Sequence, residues 1–156
     1  MFHRVTSLWP TAIAVMITLG AAPAAATVDI RIDLSTQTMK VTSARGGTEV
    51  WPVSTGRSGY VTPRGSYRPI RLARMHYSRK YDNAPMPYSI FFKGGYAIHG
   101  TGAVRQLGRP ASHGCVRLAP RNAARLFSMV QAEGARITLT GSPPAERTRV
   151  RAASAR

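Results

Sequence analysis

The stretch Ser112-His113-Gly114-Cys115-Val116-Arg117-Leu118 contains the only cysteine of this 156-residue chain. From Cys115 onward polar and apolar residues alternate, which predicts a short strand. Cys115 and Arg117 should lie on one face of this strand, with Val116 and Leu118 on the other. A guanidinium beside the thiol can pair with a carboxylate of a bound molecule in bidentate geometry.

A thiol becomes an effective nucleophile when a nearby imidazole removes its proton. His113 lies two residues before Cys115, and His99 lies upstream with fifteen residues between it and the cysteine. The glycines of this spacer can fold it back, so the spacing permits either histidine as the base. Gly114 lets the backbone approach a substrate closely, and the amides of Gly114 and Cys115 can point at a developing oxyanion.

The surrounding pattern predicts a mainly β domain with one or two short helices. Strands are expected at 28–34, where apolar and polar residues alternate, and at seven further ranges: 39–41, 50–54, 67–72, 88–92, 96–99, 115–118 and 137–139. Pro52 confines its strand to an edge or a bulge. Residues 73–87 show no steady period and are expected to form a long irregular loop that serves as a lid or binding loop.

One helix is predicted after the cysteine strand. Pro120 suits a first helical turn, and Gly134 suits the residue after the last. Between them an apolar stripe at helical spacing is expected to face the core: Ala123, Leu126, Phe127 and Val130.

The first 26 residues resemble a secretory signal. A weakly basic start precedes an apolar run over 11–20, and Ala24 and Ala26 satisfy the small-x-small cleavage rule. We therefore expect residues 1–26 to be a signal peptide, 27–140 one catalytic domain, and 141–156 a basic, disordered tail. The apolar run is shorter than the roughly 20 residues that span a bilayer, so no stable membrane span is expected after cleavage.

The formal net charge is +16 at pH 7. Such a charge suits nucleic acid, an anionic surface or an acidic ligand, and export disfavours nucleic acid. The alternative is a largely solvated basic face without a specific partner. A single cysteine excludes an intramolecular disulfide, and the scattered histidines do not have zinc-ligand spacing, so no metal is expected.

Ile98-His99-Gly100-Thr101, a glycine-containing spacer and the cysteine stretch together closely resemble the signature of L,D-transpeptidases of the YkuD type. Further similarity lies in Pro52-Val53-Ser54-Thr55-Gly56, in 62–67, and in Met86-Pro87-Tyr88, which is similar to the substrate-lid segment of that family. The resemblance covers about residues 28–140. It implies a β-sandwich-like catalytic domain with the site in a cleft.

The resemblance also implies residue roles. It makes Cys115 the nucleophile and His99 the proton acceptor and donor, with the carbonyl of Gly100 orienting the imidazole. Roles in oxyanion stabilisation or support of the site fall on Ser112, His113 and Gly114. Contacts with substrate fall on Met86, Tyr88 and Arg117. His76 receives no role and is expected in the loop near the cleft.

The implied reaction is acyl transfer on peptidoglycan stem peptides through a thioester on Cys115, with loss of a terminal D-Ala. Such an enzyme would serve cell-wall biogenesis and cell shape in the periplasm or cell envelope. The family implies no cofactor, and it implies carbapenem-type β-lactams as covalent inhibitors. Three alternatives stay open from the sequence: an L,D-carboxypeptidase, an amidase that releases a wall-attached protein, and a non-catalytic wall-binding protein.

Overall fold

A computed structural model of the chain describes residues 27–144. The elements in chain order are β1 (Val28–Asp33), β2 (Thr38–Ser43), β3 (Gly47–Pro52), β4 (Gly65–Tyr67), β5 (Arg71–Ser78), β6 (Ala84–Lys93), β7 (Tyr96–Gly100), a 3₁₀ turn (Val104–Gln106), β8 (Val116–Leu118), α1 (Pro120–Glu133) and β9 (Ala135–Thr140). The predicted mainly β architecture is confirmed, with two sheets and one α-helix.

The first sheet has five strands in the order β3-β2-β1-β9-β4. The first three strands form an antiparallel meander, and β9 then pairs parallel to β1 on its other side. In β1 the apolar residues Val28, Ile30 and Ile32 are buried, as the alternation predicts. Pro52 lies at the end of β3, which is an edge strand, so the ladder loses no interior hydrogen bond.

The second sheet has four strands in the order β5-β6-β7-β8 and carries the cysteine at its β8 side. β7 and β8 are parallel neighbours, with Ile98 opposite Val116 and His99 opposite Arg117. The outer side of β8 is covered by the segment 54–56, through isolated bridges from Ser54 to Arg117 and from Gly56 to Ser112.

The helix covers the core with the predicted stripe. Its buried residues are Ala123, Leu126, Phe127 and Val130, and it packs mainly against β6 and β7. The helix begins at Pro120 and ends before Gly134, as predicted. Residues of both sheets and the helix form one continuous hydrophobic core, which fixes the parallel pair β7 and β8.

The irregular loop predicted at 73–87 is wrong, because these residues belong to the β5–β6 hairpin. Both faces of β5 are at least partly exposed, so its sequence lacks the apolar alternation of a half-buried strand. The sequence signal for this hairpin lies in its turn instead. Asp82 and Asn83 have φ of 47° and 51°, and the amide of Ala84 donates to the carbonyl of Tyr81 at 2.8 Å. Positive φ at both central residues is typical of a type I′ hairpin turn.

The predicted signal peptide and most of the predicted tail lie outside the described residues. Gly141 and Ser142, the first tail residues, lie against the β1–β2 turn, where the Ser142 amide donates to Ser35 Oγ at 3.1 Å. Across residues 27–144, no helix is long and apolar enough to cross a membrane.

Candidate active site

The thiol of Cys115 lies on the face of the second sheet that points away from the core. Val116 and Leu118 are fully buried in the core, whereas Cys115 packs against a separate small cluster formed by Met86, Phe91 and Ala97. This arrangement confirms the predicted division of the strand into two faces. The side chain is half-buried, and its Sγ lies 3.9 Å from the carbonyl oxygen of Gly95.

His99 lies on the adjacent strand, and only 6% of its surface is exposed. Its Nδ1 lies 2.8 Å from the carbonyl oxygen of Gly100. Since a carbonyl oxygen only accepts, Nδ1 carries the proton and Nε2 keeps its lone pair. Gly100 itself is held firmly: a Cβ at this position would lie 3.1 Å from Pro87 Cγ and 3.3 Å from the Cβ of Ala123 on the helix.

Burial keeps both the His99 imidazole and the Cys115 thiol neutral. Desolvation lowers the pKa of His99 to about 4, the positive charges of Arg117 and His76 add to the effect, and the bond to Gly100 opposes it. Burial raises the pKa of the Cys115 thiol, against the opposing effects of the Ala97 amide and Arg117. Near neutral pH the pair is therefore a thiol and an uncharged imidazole, with a free acceptor at Nε2 of His99.

His113 is engaged elsewhere. Arg57 Nη2 lies 2.8 Å from Nε2 of His113, and because a guanidinium only donates, this nitrogen is the acceptor. Desolvation and the charges of Arg57, Arg117 and Lys80 lower the pKa of His113. The imidazole therefore cannot take a thiol proton at Nε2 without losing Arg57. Of the two histidines that the sequence leaves open, His113 has its Nε2 occupied by Arg57, whereas the hydrogen bond of His99 is made by Nδ1 and leaves Nε2 as an acceptor.

The loop before the thiol is fixed by two buried hydroxyl groups. The amide of Gly114 donates to Ser112 Oγ at 3.0 Å, and this hydroxyl donates to the carbonyl oxygen of Cys115 at 2.6 Å. On the other side, Thr62 Oγ1 receives the amide of Gly56 at 2.8 Å and donates to the carbonyl oxygen of Gly114 at 2.9 Å. The Gly114 amide is thus engaged by Ser112, which contradicts the expectation that it faces an oxyanion.

Packing and backbone conformation explain the glycine before the cysteine. Gly114 has φ of 114°, and a Cβ there would lie 2.8 Å from Cε1 of Tyr96 and 2.9 Å from the carbonyl oxygen of Val61. These contacts exclude a side chain at this position. Gly114 is required by its buried surroundings rather than by an open approach to substrate.

Three further polar residues support the loop and received no site role from the sequence: Gln37, Thr55 and Thr62. The carbonyl oxygen of Thr55 accepts the amides of Ala111 and Ser112, each at 2.9 Å, and the side chain of Gln37 forms two hydrogen bonds with Thr55. Each is a single polar residue in a turn segment, and only its near-complete burial distinguishes it from a solvated one.

Arg117 is half-buried beside the thiol. Its Nη1 donates to Oε1 of Gln106 at 3.2 Å and to the carbonyl oxygen of Ala111 at 3.4 Å. Both partners are neutral, so they orient the guanidinium without cancelling its charge. Burial and the nearby Arg57 lower the pKa of Arg117, and the proximity of Cys115 opposes that shift.

The model of the YkuD L,D-transpeptidase catalytic domain matches residues 27–150. The chain belongs to this family. The match covers the whole described domain, including both sheets, the helix and the loop over residues 107–115 that ends at Cys115, here called the cysteine loop.

Two similar L,D-transpeptidases illustrate the match. The crystal structure of an L,D-transpeptidase from Stackebrandtia nassauensis has a TM-score of 0.67 and 29% identity, over 80% of this chain and 60% of that one. The Escherichia coli protein named "Probable L,D-transpeptidase ErfK/SrfK" is 29% identical over 61% of this chain and 38% of its own length. The chain thus spans less than two thirds of either relative.

A third similar protein was solved with a ligand. L,D-transpeptidase 3 from Mycobacterium tuberculosis, in complex with a faropenem-derived adduct, has a TM-score of 0.64 and 23% identity, over 74% of this chain and 60% of that one. At this identity the likeness shows a shared fold.

In this L,D-transpeptidase domain the segment Met86-Pro87-Tyr88 is part of β6, and the strand changes face at Tyr88. Tyr88 has φ of 56°, packs on the core and lies edge-on to Phe127, with ring centroids 5.9 Å apart. Met86 and Phe91 nevertheless both lie in the cluster beside Cys115, although a spacing of five positions would put them on opposite faces of a regular strand. The structure therefore places Met86 at the thiol and directs Tyr88, which was expected to contact substrate, toward the core.

His76 lies on β5, opposite Met86 and edge-on to Phe91 with centroids 5.1 Å apart. Its charge lowers the pKa of His99, so it is close to the site. Within the described part of the chain, no group of three or more His, Cys, Asp or Glu side chains could hold a metal ion.

Proposed function

We propose that this chain is an exported cysteine acyltransferase of the L,D-transpeptidase type that acts on peptidoglycan stem peptides in the periplasm or cell envelope. Its reaction would cross-link or remodel the wall through a thioester on Cys115. Family membership supports the reaction class, and the signal-like residues 1–26 support export. In this proposal residues 1–26 are the signal peptide, 27–140 the catalytic domain and 141–156 the basic tail.

One observation carries the assignment of the reacting pair. Nδ1 of His99 is committed to the carbonyl of Gly100 at 2.8 Å, which leaves Nε2 as a proton acceptor in a buried imidazole. The parallel register places this histidine beside the strand that begins after Cys115. A base with a fixed tautomer next to a thiol is the arrangement that nucleophilic catalysis needs.

The first half-reaction begins from the neutral pair. The sulfur of Cys115 attacks the carbonyl carbon between the third stem residue and the terminal D-Ala, while its proton moves to Nε2 of His99. When the tetrahedral intermediate collapses, the carbon–nitrogen bond breaks and His99 returns the proton to the departing amine. The products are D-Ala and a thioester.

The second half-reaction regenerates the enzyme. The amine of a neighbouring stem attacks the thioester carbonyl and gives its proton to Nε2 of His99. The carbon–sulfur bond then breaks, the sulfur recovers that proton, and a new amide links two stems. The amide of Cys115 is the proposed oxyanion donor, since the Gly114 amide is bound to Ser112.

Intact-mass measurement of the mature protein tests this function. Incubation with a tetrapeptide-bearing fragment should give a species heavier by the acyl tripeptide, and a carbapenem should add its own mass. Cys115→Ala should abolish both adducts, and His99→Gln should slow both by about 100-fold or more. The exposed-site variant Gln131→Leu should react like wild type.

The released products distinguish the related outcomes. Dimers with a three-to-three link support transpeptidation, whereas free tripeptide alone would show hydrolysis by an L,D-carboxypeptidase. Folded wild type that forms no adduct with either reagent would overturn the enzymatic assignment and favour a wall-binding role. Carbapenems are proposed inhibitors because they acylate the same thiol in this scheme.

A further inference from the structure

We propose that Arg57, Lys80 and Arg117 form a carboxylate-binding subsite around the imidazole of His113, beside the reactive thiol. The inference that its ligand is a free carboxylate of the donor stem rests on the proposed function. The subsite joins three parts of the chain: Arg57 from the loop after β3, Lys80 from the turn of the β5–β6 hairpin, and His113 and Arg117 from the cysteine loop and the β8 strand that follows it.

Aromatic contacts give the subsite a defined shape. The ring of Tyr81, in the hairpin turn, stacks on His113 with centroids 4.4 Å apart and planes 13° from parallel. Tyr60 lies edge-on to the same imidazole, at 4.6 Å and 79°. Two tyrosines from different loops thereby fix the plane of one imidazole, and this ring positions the cations around it.

The cations are tied to these rings. Arg57 bonds to His113 at 2.8 Å and lies over the ring of Tyr60, with its Cζ 4.8 Å from the centroid. Nζ of Lys80 lies 5.5 Å from the centroid of Tyr81. Cation–π contacts and one neutral acceptor orient both charges without neutralising them.

Among the described residues, no carboxylate forms an ion pair with these three cations. Across residues 27–144 the ion pairs are Arg31 with Asp29 and Arg125 with Glu49, both away from the cysteine loop. Asp82 lies in the same hairpin turn as Lys80 and forms no ion pair with it. Like charges held together without a counter-charge repel one another, and a bound anion would relieve that repulsion.

Arg117 connects the subsite to the chemistry. Its Nη1 donates to the carbonyl oxygen of Ala111 at 3.4 Å, and the amide of Arg57 donates to the carbonyl oxygen of the next residue, Ser112, at 3.0 Å. Both cations are therefore held at the loop that leads to the sulfur, and the charge of Arg117 lowers the pKa of His113 and of the Cys115 thiol. An anion bound by these cations would therefore lie next to a carbonyl attacked by Cys115. A donor stem offers the terminal carboxylate of D-Ala and, where its diamino acid carries one, a free side-chain carboxylate.

Alkylation of the single cysteine tests the subsite independently of any transferase activity. The thiolate displaces iodide from either iodoacetate, which is anionic, or iodoacetamide, which is neutral and nearly the same size. The rate with iodoacetate is divided by the rate with iodoacetamide, and this ratio is normalised by the same ratio for the urea-unfolded protein. The normalised ratio should be about 10 or more in wild type at low salt. It should fall toward 1 in 1 M salt because the charges are screened.

Variants assign the effect to these cations. The double variant Arg57→Gln/Lys80→Met should bring the normalised ratio close to 1, and Tyr81→Leu should lower it because Lys80 and His113 lose their stacking partner. Arg45→Gln removes one exposed charge from the β2–β3 turn and should leave the ratio unchanged. A normalised ratio near 1 in wild type, or equal ratios in all variants, would overturn the subsite.

Donor peptides then distinguish the two sources of carboxylate. Acylation of Cys115 is followed by mass with three donors: both carboxylates free, only the terminal one amidated, or only the side-chain one amidated. One of the two amidated donors, the one that has lost the carboxylate bound by the subsite, should acylate Cys115 about 10-fold or more slowly in wild type. The same amidation should slow acylation of the double variant much less. Equal rates for all three donors would refute the stem-carboxylate ligand and leave the transferase intact. If no donor acylates the cysteine, the proposed function fails, while the alkylation ratio still decides whether the anion subsite exists.

Discussion

Gln37 and Thr55 exchange two hydrogen bonds across the space between the first sheet and the cysteine loop. Nε2 of Gln37 donates to Thr55 Oγ1 at 2.7 Å, and the amide of Thr55 donates to Gln37 Oε1 at 3.0 Å. Nε2 also donates to the carbonyl oxygen of Leu34 at 2.7 Å. Since Thr55 in turn holds the amides of Ala111 and Ser112, a residue in the β1–β2 turn positions a loop of the opposite sheet.

Gln37→Leu should destabilise the protein by about 3 kcal/mol, because buried hydrogen-bonding groups of Leu34 and Thr55 lose their partners. Urea unfolding measures this change. Gln131→Leu makes the same chemical change at an exposed helix position and should alter stability by less than about 0.5 kcal/mol. Equal stabilities of the two variants would show that the Gln37 contacts contribute little.

Thr62→Val keeps the side-chain shape but removes the hydroxyl that joins Gly56 to Gly114. We expect a loss of about 2 kcal/mol in stability and a fall of about 10-fold or more in the rate of acylation by a carbapenem. Thr62→Ser retains the hydroxyl and should keep most of both properties. If Thr62→Val is destabilised yet acylates at the wild-type rate, Thr62 stabilises the fold without positioning the thiol.

Gly114→Ala should be among the most damaging single-methyl additions in the chain. The new Cβ would collide with Tyr96 and with the carbonyl of Val61, at a residue whose φ is 114°. A loss of about 3 kcal/mol or more is expected from overpacking and backbone strain together. Gly102→Ala is the control, because a Cβ there meets nothing within 4 Å. Melting temperatures of the two variants should differ by well over 5 °C.

Stability should depend on His99 in mildly acidic solution. The imidazole titrates near 6.5 in the unfolded chain and at about 4 in the folded protein, so the unfolded chain binds more protons between these values. The contribution of about 3 kcal/mol is complete above pH 6.5 and is lost as the pH falls from 6.5 to 4.

Urea unfolding of wild type and His99→Gln at several pH values checks this linkage. The difference in their unfolding free energies should change by about 3 kcal/mol across that interval and stay constant above it. A difference that does not vary with pH would mean that His99 titrates normally in the folded state.

Patterns that repeat along the chain predicted much of the fold. The apolar stripe from Ala123 to Val130 and the alternation of β1 each repeat one signal several times, so a single atypical residue does not change the predicted element. The β5–β6 hairpin was missed because β5 buries neither face, and its turn residues Asp82 and Asn83 are a signal only two residues long. The parallel pairing of β9 with β1 joins distant segments and leaves no local pattern.

The site was predictable where a short motif carries the chemistry. Cys115 and Arg117 were placed on one face from alternation alone, and the resemblance gave His99 and the carbonyl of Gly100. The support was not predictable, since Gln37 and Thr62 are ordinary polar residues until the folded chain buries them. Tyr88 was misplaced because a single residue with positive φ reverses which side of β6 faces the thiol.

The two outer strands of the second sheet have different surroundings. One is covered by another segment, and the other is open and carries positive charges that oppose self-association. β8 is shielded by the bridge from Ser54 to Arg117, so its backbone is not open to another chain. β5 has no neighbour on its outer side in the described sheet, and it carries exposed Arg71 and Arg74. Two copies that approached along β5 would bring like charges together, which disfavours strand-to-strand aggregation at high local concentration.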